Sequence, residues 1–298
     1  MNGTLGRDKV WNDQIWSEID KAVREEMGRI RVAQKVFPTT VVNNVLPVAT
    51  ARAVAVGQLD PEFPVSDEFR PFFEISTSFR MTHAQVDGEE NQRLALAFGR
   101  FAACVIAGAE DAILFWGRKA IPSAIHLTNP RAIPPGFVAE AQAYPPATPI
   151  PDPPPSSPPC PADALGDILT GVADAMAALN SRSQPGPFAL FLSPKRYAQT
   201  FSPTTFGFLQ TPGDAIKNVV TGGIYAVNSL TDDKGILASL GGEPAKIVLG
   251  TDATTALTYI DEKGTYFFRV FERIQLVVQD GRAFQALEIP PRVLTSPS

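Results

Sequence analysis

Histidine and cysteine are almost missing from this chain, at 2 residues each in 298. His83 and His126 stand 43 positions apart with no cysteine or paired carboxylate beside them. No spacing of the kind that builds a zinc or iron centre is present, so no metal site is expected. A surplus of positive charge is also missing. Lys and Arg number 26 against 31 Asp and Glu, a net charge of −5, so a polyphosphate partner finds no basic footprint and nucleic-acid binding is not expected. The longest apolar run, Phe101 to Gly108, is closed by Glu110 and Asp111, well short of the roughly 20 residues of a membrane span. The charged opening MNGTLGRDKVWNDQ lacks the apolar core of a secretory signal. Cys104 and Cys160 offer no evident staple, and a cytoplasmic location is the expectation.

The motifs of common chemistries are absent as well. The chain has no GxxxxGK[ST] phosphate loop, no GxSxG elbow and no HExxH. Its Gly pairs at 222–223 and 241–242 lead into strand-like residues where a phosphate site needs a helix. The acid pair Glu89-Glu90 reads as a helix start, and Glu110-Asp111 as solvated or locally paired. No catalytic residue and no cofactor is therefore expected.

What is present is a well-patterned α+β chain. Trp11, Ile15, Ile19, Val23, Met27 and Ile30 recur at spacings of three and four and predict an amphipathic helix over 8–30, its stripe packing on its own domain or docking a partner. Residues 36–65 are rich in Val and Thr between Pro and Gly, the signature of short strands and a projecting hairpin. Residues 72–79 alternate as a strand with one apolar and one wet face. A long helix is predicted beyond Asp87, which can cap it, with Leu94, Phe98, Phe101, Val105, Ile106, Ala109 and Ile113 at helical spacing up to Gly117.

Residues 145–161 hold 10 prolines in 17 positions, which excludes helix and central strand and predicts an extended surface insert. A helix over 162–182 follows, then a buried-type strand at 187–194, a short helix in KRYAQTF, a loop over 202–213 and a helical turn at 216–220. Strands are predicted at 224–228, 235–240 and 245–249, and a hairpin pairs 254–261 with 264–280 across Glu262-Lys263. A two-stranded projection at 44–71 is marginal alone and leaves open edges, so self-association is the physical expectation.

Several segments, taken in order, resemble the encapsulins, shell proteins of bacterial nanocompartments sometimes called linocin-type. They are WNDQIWSEIDKAV; FEISTSFRMTHAQVDGEENQ with AGAEDAILFWG; PFALFLSPKRYAQTF; GGIYAVNSLTDDKGILASLGGEPAKIVLGTD; and YFFRVFERIQLVVQDGRAFQAL, spread over about residues 8–290. Two features depart from the pattern: the proline-rich insert, and the turn HAQVDGEEN, which lacks an aspartate-rich stretch.

The resemblance implies an α+β tailed-phage major capsid fold of the Hong Kong 97 type. Its implied parts are an N-terminal helix and the start of a peripheral domain (1–43), an extended loop (44–71), the peripheral domain with the long helix (72–122), an axial domain (123–249, including the insert 145–161), and the end of the peripheral domain with a tail (250–298). It implies self-assembly into an icosahedral homo-oligomer of 60 copies or a larger multiple. A cargo enzyme would enter by a short targeting peptide. Ser202, Pro203, Thr204, Thr205, Phe206, Gly207 and Phe208 match the position of the family's pore loop. Trp11, Ile15, Ile19 and Val23, with Thr251, Asp252 and Tyr259, match its cargo-binding positions; core packing is the other reading of the helix stripe. A phage or prophage major capsid protein shares this expectation, and a hydrolase or bacteriocin reading rests on old family names alone.

Overall fold

A computed structural model describes residues 6–42, 47–50, 68–143, 163–201 and 211–288, with the backbone alone for 49, 50, 68 and 163–167. The expected pore loop 202–208, the proline-rich insert 145–161 and most of the extended loop 44–71 lie outside the described residues. The first elements are α1 (Asp13–Ile30), α2 (Ala33–Val36), β1 (Thr39–Val41), β2 (Val48–Thr50), β3 (Glu68–Arg70), β4 (Phe73–Thr82), α3 (His83–Asp87), α4 (Glu89–Gln92), α5 (Leu94–Trp116) and β5 (His126–Thr128). After them come α6 (Phe137–Gln142), α7 (Asp163–Ser181), β6 (Phe188–Leu192), α8 (Pro194–Gln199), α9 (Pro212–Val219), β7 (Ile224–Ala226), β8 (Lys234–Ser239), β9 (Ala245–Ile260), β10 (Thr265–Val278) and β11 (Phe284–Glu288).

These elements form two units. The described part of the first comprises 6–42, 47–50, 68–134 and 246–277; that of the second comprises 135–143, 163–201, 211–245 and 278–288. The division differs from the expected boundaries at three places. Residues 126–128 join the first unit because β5 pairs with β4. Residues 246–249 join it because they open β9, whose Ile247, Val248 and Leu249 pair with β1. Residues 284–288 leave it, because β11 pairs along β8 and sends Leu287 into the second unit's core.

In the first unit a five-stranded sheet runs in the order β1-β9-β10-β4-β5. The two segments expected as separate strands at 245–249 and 254–261 are one continuous strand, β9. The turn into β10 is held by Asp261, whose Oδ1 accepts the amides of Lys263 (3.0 Å) and Thr265 (2.7 Å), with Gly264 at φ 76°. One sheet face carries Phe268, Val270, Glu272 and Ile274 of β10 opposite Phe79, Thr77, Ile75 and Phe73 of β4. The other face of β4 is not wet along its whole length. Glu74 is buried there, because Arg269 Nη1 and Arg273 Nε of β10 donate to its two oxygens at 2.8 and 2.9 Å.

α1 packs along α5 through Ile19 and Val23, both buried, which meet α5 at Gly99: a β-carbon there would lie 3.2 Å from Val23 Cγ2 and 3.4 Å from Ile19 Cγ2. The long helix begins later than its sequence suggests. Asp87 closes the short helix α3, and Arg93, at φ 54°, separates α4 from α5. The break is stabilised by Glu89, a carboxylate that accepts the amides of Ala95 (2.6 Å) and Leu96 (3.2 Å) in the first turn of α5. From Ala102 onward α5 is buried on nearly every side, as its apolar circumference predicts. Phe101, expected on the core stripe, instead stands 73% exposed.

Glu110 and Asp111 also correct the expectation, for neither is solvated. Arg31, directly after α1, is buried between Glu110 of α5, whose Oε2 lies 2.7 Å from its Nε, and Glu272 of β10, both of whose oxygens lie 2.7 Å from its Nη2. Asp111 accepts the amides of Val32 (2.8 Å) and Ala33 (3.1 Å) at the start of α2.

In the second unit the sheet order is β11-β8-β6-β7, with β6 and β7 parallel and the other pairs antiparallel. Every side chain of β6 is buried, because both faces of the strand are covered. On one side Ile168, Val172, Ala175 and Leu179 of α7 pack on Leu190, Leu192, Leu237 and Leu287. Phe137 of α6 stacks on Phe284 of β11 at 5.2 Å between ring centroids. α9 starts with a capping box in which Thr211 and Asp214 exchange side-chain and backbone hydrogen bonds.

The contrast between two α5 glycines gives a test. Gly99→Leu should destabilise the first unit by about 1–3 kcal/mol through overpacking. Gly108→Ala, where nothing lies within 4 Å of an added β-carbon, should stabilise it by about 0.5–1 kcal/mol. Chemical denaturation followed by circular dichroism measures both.

Candidate functional site

The N-terminus of α1 is built by side chains that tie it to the sheet. Asn12 caps the helix by accepting the Ile15 amide at 3.0 Å. Trp11, just before it, lies flat on Phe268 of β10, with centroids 5.0 Å apart and planes at 7°. Its Nε1–H donates to the Val86 carbonyl at 3.0 Å. Trp16 meets Trp11 edge-on at 4.9 Å and donates its own Nε1–H to the Arg7 carbonyl. Arg7 reaches across to Asp20 and to the Thr255 carbonyl, each at 2.6 Å, while Asp20 accepts the Thr255 amide at 2.8 Å. The helix is thus pinned to the edge of β9 by a charged pair and to β10 by aromatic stacking.

Beside this anchor an open cleft of about 230 Å³ lies between the first turns of α1 and the α4–α5 break, lined by Ile15, Glu18, Glu90, Arg93 and Leu96 among others. Its apolar lining is Ile15, Ile19 and Leu96. Its rim is acidic apart from Arg93, which pairs with Glu18. Ile15 and Ile19 apart, these residues were not singled out as contact residues from the sequence. The signal that could have found them is the break itself, a positive-φ residue between two helical turns, which sequence periodicity does not report.

The seven positions matched to cargo contact do not converge on one place. Trp11 and Ile15 are half-buried at the α1 anchor, and Ile15 lines the cleft. Ile19 and Val23 are core residues against Gly99. Thr251 and Asp252 are half-buried on β9, with Asp252 Oδ2 at 3.9 Å from Arg24 Nε of α1. Tyr259, 53% exposed, stacks on Phe267 at 4.4 Å. Phe267 and Phe268 point to opposite faces of the strand, so Tyr259 stands on the face away from Trp11. The expected pore loop, Ser202 to Phe208, lies outside the described residues.

With this geometry in view, the comparisons with known proteins can be placed. Over 92% of this chain and 99% of the other, the fold superposes on a virus-like particle from Pyrococcus furiosus with a TM-score of 0.65 at 16% identity. A chain of Mycobacterium phage Bobi matches with a TM-score of 0.54 at 14% identity, over 88% of this chain and 91% of that one. The capsid of an empty GTA particle matches at 0.52 and 14% identity, over 87% and 89%. The chain has the tailed-phage capsid fold. Residues 154–275 match the family described as encapsulating protein for peroxidase, so the resemblance to the encapsulins rests on sequence as well as on fold. The matched stretch takes in β6 to β10 for most of their length and leaves out the N-terminal segments quoted above. No curated protein matches the chain. Among the described residues no helix is long and apolar enough to cross a membrane.

The anchor predicts a graded response at Trp11. Trp11→Phe should keep the stack on Phe268 and lose about 1 kcal/mol with the hydrogen bond to Val86. Trp11→Ala should lose about 2–3 kcal/mol. Urea unfolding followed by circular dichroism orders the two variants.

Proposed function

We propose that this chain is the shell protein of a hollow icosahedral compartment that encloses a protein cargo, and that it is not itself an enzyme. The observation that carries the reading is the match of residues 154–275 to the encapsulating-protein family on a chain whose fold follows a virus-like particle over nearly its full length. The phage capsid structures share the fold, so fold by itself leaves a phage or prophage capsid as the second reading; the matched stretch favours the compartment. In this reading 60 copies or a larger multiple close a shell in the cytoplasm. The chemistry belongs to the cargo, and the family description makes a peroxidase the first cargo to test.

The cargo's targeting peptide would seat in the cleft at the α1 anchor, with an aliphatic side chain on Ile15 and Leu96 and a basic group facing Glu90. Thr251 and Asp252 would extend that surface along β9. The loop 202–208 would line a pore at a symmetry axis.

Assembly would come from many modest contacts between copies, the extended loop 44–71 laid over a neighbour. Two features support this role. β2 and β3 pair antiparallel at the base of the loop, with Phe69 exposed. The segment 60–68, DPEFPVSDE, holds four acids and no base. On the sheet face away from α1, Arg269 and Arg273 share the one carboxylate of Glu74 near the exposed Arg80, a basic surface complementary to that segment.

Electron microscopy of the purified chain tests the proposal: closed shells are expected, and a single sedimenting chain would overturn it. Deleting 48–68 should leave monomers or small oligomers in light scattering. Full-sized shells from that deletion would refute the loop's role while leaving the shell itself in place.

A further inference from the structure

The cluster around Arg31 carries more negative charge than its one guanidinium can balance. Glu110 and Glu272 are fully buried, and Arg31 and Asp111 are nearly so. Three carboxylates therefore face one cation in a site closed to water. The groups that surround them come from every element packed there. They are Arg31 after α1, Gln34 of α2, whose Nε2 donates to Glu110 Oε1 at 2.7 Å, Glu110 and Asp111 of α5, and Glu272 of β10. At the edge stands Asp252 of β9, with Arg24 of α1 at 3.9 Å from it. Asp252 adds its charge to that felt by Arg31 and Glu272, so the edge does not relieve the excess inside.

Buried, uncompensated charge costs several kcal/mol per ion, and a carboxylate in such a site relieves that by taking up a proton. The contacts bring the two acids to one cation, for Glu110 and Glu272 both lie 2.7 Å from Arg31. Burial pushes Glu272 well above the usual carboxylate range, with the charge of Glu110 adding to it and Arg31 opposing. Burial pushes Asp111 up to about 7, again with Glu110 adding, against the amides of Ala33 and Val32 and the Arg31 charge, which pull it down. Burial also works against the charge on Arg31, but Glu110, Glu272 and Asp252 hold its proton in place.

We propose that Arg31, Glu110, Asp111 and Glu272 form a proton-loaded clasp that fastens the end of α1 and the start of α2 to α5 and β10, and that loosens as pH rises through neutrality. With Glu272 and Asp111 protonated, the charge of Arg31 is balanced by Glu110 and the four side chains sum to zero. When both protons leave to solvent, a charge of −2 remains buried and the junction opens to hydrate it. The direction follows from linkage. A carboxylate raised in the folded state binds more protons than it does unfolded, so stability is greatest at low pH and is lost as pH rises, for Asp111 from its ordinary 3.8 up to about 7 and for Glu272 beyond its ordinary range. The clasp does not depend on the shell reading, since every contact lies within one copy.

The test uses the full chain in whatever assembly it adopts, between about pH 5.5 and pH 8.5. Amide hydrogen exchange, corrected for the intrinsic pH dependence of exchange, should show protection across residues 13–36 falling by up to about tenfold per pH unit for each proton released. Protection of 188–192, in the other unit, should stay constant. Asp111→Asn should flatten the fall below about pH 7, and Glu272→Gln should flatten the remainder while raising the thermal midpoint at the alkaline end. An unchanged pH profile in the wild-type chain would overturn the proposal even if neither variant folds. Variants that fold and keep the wild-type slope would overturn it equally.

Discussion

A guanidinium sealed from water must find its counter-charges inside the protein, and that requirement organises the first unit of this chain. Arg31 reaches Glu110 and Glu272, positions 79 and 241 residues further along the sequence, from the end of α1 to the middle of β10. Removing Arg31 would strand its buried carboxylates, so the three elements settle in the arrangement where all meet. Asp111 extends the constraint by taking the free amides at the start of α2, which fixes where the chain leaves α1 for β1. Glu272 lies on the same sheet face as Phe268, Val270 and Ile274, so an ion pair is set into an otherwise apolar layer and determines its register.

Around that junction, packing depends on small residues where helices come close. Gly99 lets Ile19 and Val23 of α1 rest on the backbone of α5, and the alanines of the long helix let the later turns pass through the core. The anchor at Trp11 and Trp16 closes the other end of α1 against β10 and β9. Along α1 the apolar stripe turns inward, and the outer face carries charged residues such as Lys21, Arg24 and Glu25. The cleft therefore takes in Ile15 and the edge of Ile19, while Val23 belongs to the interior.

Much of this was legible in the order of residues. The stripe on α1, the apolar long helix, the all-buried β6 and the hairpin after Tyr259 follow from periodicity and turn chemistry, which act between neighbours along the chain. The misread features share a different cause. Arg93 adopts a positive φ because Glu89 reaches past it to cap α5, and Glu74 is buried because two arginines on the adjacent strand meet it. Phe101 is apolar at helical spacing yet lies outside the core, since spacing gives a stripe and not the side on which the sheet lies. The candidate cargo positions were divided for the same reason: Tyr259 and Trp11 stand on opposite faces of one sheet, a fact set by strand register.

The sequence by itself determined the kind of elements, their order, the lack of a metal or nucleotide fingerprint, and a resemblance to the encapsulins, because each is written in local spacing and composition. Only the tertiary structure decided which acids are buried, which aromatic rings stack, which of the matched residues can meet a ligand, and which unit claims β5 and β11. Those outcomes depend on contacts between residues far apart in the chain, and burial turns the acid pair Glu110-Asp111 into one held by Arg31 and by the amides at the start of α2.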